Sequence, residues 1–114
     1  MTPRDCLLEA RALVLHDLQA RGFADADTVS LLEDAVSGRG WWVDQWDEGT
    51  PFVAGLVAQD LQDALLDRST RWPRCTACDL TAEHSLAIEP ELGTDPHWVC
   101  REAGMVVSRL GLLT

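Results

Sequence analysis

The chain has 114 residues, of which 19 are acidic and nine basic, for a formal charge of −10 and a pI near 4.4. That length suits one compact domain or one domain with a small appendage, and 46% hydrophobic residues exclude a disordered composition. All the cations are arginines, none is clustered in a basic run, and the charge would repel phosphate backbones and anionic lipid at long range, which disfavours generic nucleic-acid or membrane-surface binding.

The first segment opens with Thr2-Pro3-Arg4-Asp5, a helix start with a capping hydroxyl, a proline where no amide bond is lost and a carboxylate near the positive end. A helix over about 3–21 is predicted. Leu8, Ala12 and Leu15 lie on one face with Leu7, Val14 and Leu18 beside it, and Gly22 stops the helix. So broad a stripe suits several neighbours or a homodimer. Glu9, Arg11, Asp17 and Arg21 interrupt its apolar stretches, unlike the core of a signal peptide, so a cytoplasmic chain is expected. No segment is apolar enough to span a membrane.

A second helix is predicted over about 27–37, capped by Asp25 or Asp27, with Val29, Leu32 and Val36 inward and Gly38 at its end. The glycine-bracketed stretch 38–49 reads as a loop holding Trp41, Trp42 and Trp46. Two of these, four residues apart on a short helical turn, can plug a small core; alternatively at least one is exposed and anchors a protein partner or a second subunit. Thr50-Pro51 starts a third helix, ending near Asp67 or Arg68. Its apolar residues Phe52, Val53, Leu56, Val57, Leu61, Ala64 and Leu65 recur at helical spacing, with Asp60, Asp63 and Asp67 outward.

Composition changes near residue 70. Residues 1–70 hold 13 acids against five arginines, whereas 71–114 hold six against four, so eight of the ten net negative charges belong to the helical part. The expected architecture is α+β, with an acidic three-helix domain over 1–70 and a small β zinc-ribbon-like module over 71–114.

That module rests on Cys75-Thr76-Ala77-Cys78, His84 and Cys100. Two cysteines separated by two residues can wrap one ion so that both sulfurs face it, the knuckle of structural zinc sites. The later segment Trp98-Val99-Cys100-Arg101-Glu102-Ala103-Gly104 has the form of a second knuckle with its last cysteine replaced by Ala103. Three thiolates then need a fourth ligand. His84 is the first choice, on a short strand Glu83–Ile88 that folds back on the first knuckle. His97 is the runner-up by spacing, but residues three apart on a strand point to opposite faces, which sets His97 against Cys100. The module is poor in large apolar side chains, and a structural zinc contributes about 10–16 kcal/mol of apparent binding energy in finger peptides, enough to explain why it folds. Buried, inert cysteines are the bland alternative.

These residues resemble the C-terminal zinc-ribbon-like module of small uncharacterised actinobacterial proteins, through Trp72-Pro73-Arg74-Cys75, Cys78, His84-Ser85-Leu86, Trp98-Val99-Cys100, Gly104, Val106 and Leu110-Gly111-Leu112. The resemblance covers about 72–113 and implies zinc and a fold, without an activity. The insertion Glu89–Pro96 departs from it and reads as a flexible acidic loop between strands.

Catalytic readings are weaker. An open zinc position with Glu83 as base is one; dithiol redox chemistry or metal sensing at Cys75, Cys78 and Cys100 is another, although the thioredoxin-like context is missing. The zinc-deaminase pattern is excluded because no H-x-E precedes the cysteine pair. Cys6 is expected in the core and His16 on the surface. The favoured expectation is a non-enzymatic interaction or adaptor module stapled by zinc, with a protein partner. Nucleic acid ranks third, pending any arginine cluster formed by Arg71, Arg74, Arg101 and Arg109.

Overall fold

A computed structural model describes residues 2–79 and 82–114. Three helices come first: α1 (Pro3–Ala20), α2 (Ala26–Gln45) and α3 (Val53–Asp67), with a 3-10 segment Asp47–Phe52 leading into α3. They are followed by a three-stranded antiparallel sheet of β1 (Ala87–Glu89), β2 (His97–Cys100) and β3 (Met105–Arg109) in sequential order. The α+β expectation is therefore met.

Local signals start the first two helices as read, whereas Thr50 does not cap the third, which begins at Val53 after a 3-10 segment that contains Pro51. Thr2 accepts from the Asp5 amide while the Asp5 carboxylate accepts from the Thr2 amide, a reciprocal capping box, and Asp25 accepts from the Thr28 amide to begin α2. The predicted stop at Gly38 fails, because α2 runs on through Gly38, Gly40 and the first two tryptophans to Gln45. Tertiary contacts outweigh the helix-breaking tendency of the two glycines there. Val43 is buried, Arg39 makes a two-pronged ion pair with Asp60 of α3 at 2.6 and 2.9 Å, and the same guanidinium lies over the Trp42 ring. Asp60 thus faces α2 rather than solvent. The tryptophans divide: Trp42 is half-buried and packs edge-on against Trp46 at 5.1 Å, while Trp46 and especially Trp41, 69% accessible, are exposed.

The face that α1 buries also differs from the predicted stripe. Ala10, Val14, Asp17 and Leu18 go inside, whereas Leu8 and Ala12 are exposed. Cys6 is partly buried against the core and His16 is on the surface. One hydrophobic cluster includes Val14 and Leu18 of α1, Leu32 of α2, Leu61 and Leu65 of α3, and Trp72, Leu86, Ile88 and Trp98 of the C-terminal part. Helices and sheet share these apolar contacts, so the site below stands on α3 and α1 as well as on its own strands.

Candidate metal centre

The chain around Cys75 is held by backbone pairing before any side chain is considered. Leu86 N–H donates to the Pro73 carbonyl at 2.8 Å, Cys75 N–H donates to the His84 carbonyl at 2.9 Å, and Arg74 bridges Ser85 in antiparallel register. This short ladder places His84 across from Cys75. The predicted strand Glu83–Ile88 is regular only from Ala87 to Glu89, because its earlier residues pair with the 73–75 segment instead of with β2. Cys100 arrives from the other side at the end of β2, which pairs with β1 through Ile88↔Trp98 and with β3 through Cys100↔Met105. A bulge between Trp98 and Val99 interrupts simple alternation, and Trp98, Val99 and Cys100 are all buried.

Two tryptophans lie close to the cluster in sequence. Trp72 precedes Cys75 by three residues and Trp98 precedes Cys100 by two; their rings meet edge to face at 5.3 Å, both fully buried. Gln62 of α3 fastens the ladder from outside, its amide nitrogen donating to the Trp72 carbonyl at 3.1 Å and to the Leu86 carbonyl at 2.8 Å.

The donor atoms of Cys75, Cys78, His84 and Cys100 all lie within 4.8 Å of one another, positioned to hold a metal ion. Cys75 Sγ and Cys78 Sγ are 3.6 Å apart, and His84 Nε2 is 3.4 Å from both Cys78 Sγ and Cys100 Sγ. Zinc bonds of about 2.3 Å to sulfur and about 2.0–2.1 Å to nitrogen, set tetrahedrally, separate their ligand atoms by roughly 3.5–3.8 Å. Three of the six donor separations, at 3.4–3.6 Å, stand close to that spacing, and the rest lie within 4.8 Å.

Electrostatics prepare the same arrangement. Burial pushes the Cys75 thiol up, but hydrogen bonds from the Ala77 and Cys78 amides, with further ones from the Cys78 and Cys100 side chains, outweigh it and bring the pKa down to about 6. The Ala82 carbonyl, 2.7 Å from His84 Nδ1, and the Cys100 sulfur raise His84 to about 9. A carbonyl only accepts, so Nδ1 carries a proton and Nε2 is the nitrogen directed at the sulfurs, the orientation a metal-binding imidazole needs.

His97 stands apart from the cluster: its Nδ1 engages the Asp95 carbonyl at 2.8 Å. Glu83 is exposed beside Arg74 at 3.5 Å. Arg101 lies near Glu89 and Glu91, and Arg109 near Asp95, so three of the four arginines of this half sit against carboxylates.

Asp17 was legible in the sequence only as a charge interrupting an apolar run. In the structure it is fully buried on α1, where one carboxylate oxygen accepts from Trp98 Nε1 and Gly111 N–H, both at 2.7 Å, and the other from Leu113 N–H at 3.1 Å, beside His16 Nδ1 at 2.8 Å. Its position three residues after Val14 on the inward stripe was the available signal. Gln62, between Leu61 and the rest of an apolar face, offered none.

Fold and cluster together define a small α+β domain with a Cys3His candidate metal centre built onto a three-helix support. The chain belongs to the family described as Domain of unknown function (DUF8819), whose model matches residues 3–110. No curated protein and no solved structure gave a match. Among the described residues, no helix is long and apolar enough to cross a membrane.

Proposed function

We propose that this chain is a zinc-binding module whose Cys75, Cys78, His84 and Cys100 hold one structural zinc, and that it acts as a non-enzymatic interaction or adaptor module. The observation that carries the reading is the convergence of three sulfurs and one correctly turned imidazole nitrogen within 4.8 Å of one another. Soft thiolates with one imidazole suit zinc among the common divalent ions. Four protein ligands fill a tetrahedral shell, which favours a clip over a catalytic ion that keeps a position open for water or substrate.

The proposed docking feature for a protein partner is the end of α2, where Trp41 and Trp46 are exposed on the more acidic half of the chain. Loss of a captured partner on Trp41→Ala supports that assignment, and capture equal to wild type removes it.

Elemental analysis of reduced, chelator-free protein tests the zinc reading. The expected result is about one zinc per chain, retained in His97→Ala and lost or sharply reduced in His84→Ala. Cobalt substitution should then give the intense visible bands of a tetrahedral site with three sulfurs and one nitrogen, unchanged by added anions. Metal-free wild type, or equal metal retention in His84→Ala, overturns the assignment.

A further inference from the structure

Away from the cluster, a groove of about 810 Å³ runs between α1, the 3-10 segment with the start of α3, and the chain flanking β2 and β3. Its apolar lining includes Cys6 and Leu13 of α1, Val53 and Ala54 of α3, and Pro96 and Leu110. The volume lies within the roughly 300–1,000 Å³ typical of small-molecule sites.

The charged groups on this groove are unbalanced. Glu9, Asp47 and Asp95 face one cation, Arg109, which is already 3.4 Å from Asp95. Among the described residues, Glu9 and Asp47 are exposed and have no ion-pair partner. Thr50, also on the lining and only 8% accessible, carries a buried hydroxyl with no hydrogen-bond partner among the described residues. Buried polar groups are rarely left so, because the missing bond costs free energy.

We infer that this groove binds an amphipathic organic cation, with its apolar body against Leu13 and Val53 and its ammonium group between the free carboxylates of Glu9 and Asp47. Three features select that class. The walls reward apolar surface; the two unpaired carboxylates reward a positive head; and the net charge of −10 raises the local concentration of cations while repelling anions. This inference is independent of the zinc reading, since no residue of the cluster lines the groove.

The test is a titration of the isotope-labelled full chain at pH 7 with n-octylammonium chloride and, separately, sodium n-octanoate, followed by amide chemical shifts in samples of measured metal content. Octylammonium should bind saturably, shift the amides of Cys6, Leu13, Thr50, Val53 and Leu110, and bind at least about tenfold more tightly than the carboxylate of equal chain length. The exposed double variant Glu9→Gln/Asp47→Asn should keep the wild-type fold and weaken octylammonium about three- to tenfold. The inference is overturned by non-saturable or absent binding, by shifts that map elsewhere, by equal affinity for the two probes, or by an unchanged affinity in the double variant.

Discussion

Replacing Asp17 by alanine is expected to be among the most damaging single changes in the chain. The carboxylate satisfies three buried donors, Trp98 Nε1 and the amides of Gly111 and Leu113, which belong to β2 and the C-terminal strap. Removing it leaves those donors without partners where they are shielded from solvent, at about 1–3 kcal/mol each. Partial relaxation and entry of a water reduce the sum, so about 3–6 kcal/mol is expected, a large part of the roughly 5–15 kcal/mol that holds an ordinary domain together. Asp17→Asn should cost less, about 1–3 kcal/mol. The amide oxygen can keep the pair from Trp98 and Gly111, but its NH2 group then meets the Leu113 N–H, donor against donor. Urea unfolding followed by far-UV circular dichroism and tryptophan fluorescence, at matched metal content, measures both, with the exposed Asp63→Ala as a control expected within about 0.5 kcal/mol of wild type. A cost below about 1 kcal/mol for Asp17→Ala, or an Asn variant as damaging as the Ala variant, would refute the assignment of Asp17 as the acceptor for three buried donors.

Three further outcomes are expected. Gln62→Leu should destabilise by about 1–2 kcal/mol and speed metal loss to a chelator, because the carbonyls of Trp72 and Leu86 lose their shared donor; unchanged chelation kinetics argue against Gln62 as a brace for the site. Metal affinity should rise with pH between about 6 and 9, because His84, raised to about 9, must shed a proton and Cys75, lowered to about 6, must be a thiolate. In the metal-free chain the signs are opposite: the His84 contribution to stability is full below its free value near 6.5 and is lost as pH rises through about 9, while that of Cys75 is full above 9.0 and is lost as pH falls through about 6. Calorimetry in buffers of different ionisation enthalpy reads the proton release on metal uptake, and a pH-independent affinity contradicts it. Gly49→Ala should destabilise by about 1–3 kcal/mol, since a Cβ there falls 2.5 Å from both the Trp42 and Trp46 rings; a neutral thermal melt would show that the rings move aside at little cost.

Local chemistry was readable in order along the chain. Thr2 with Pro3 and Asp5, and Asp25 before Thr28, announce helix starts because the caps lie within a turn of the amides they satisfy. The Cys75 and Cys78 spacing, with His84 and Cys100 near in sequence, announced the cluster because its donors span only 26 residues; His97 lies outside it, on the Asp95 carbonyl, although the bulge between Trp98 and Val99 breaks the simple alternation from which that was expected. What sequence could not decide depends on distant partners. Helix α2 passes two glycines because Asp60 of α3 receives Arg39 and the core receives Val43, contacts that no local propensity encodes. Asp17 reads as a surface charge until α1 meets residues 81, 94 and 96 positions further on, and only then does its carboxylate become the acceptor inside the core. Backbone propensity and ligand spacing are short-range properties of the chain; which polar side chain is buried, and what satisfies it, is settled only when the helices and the sheet close on one another.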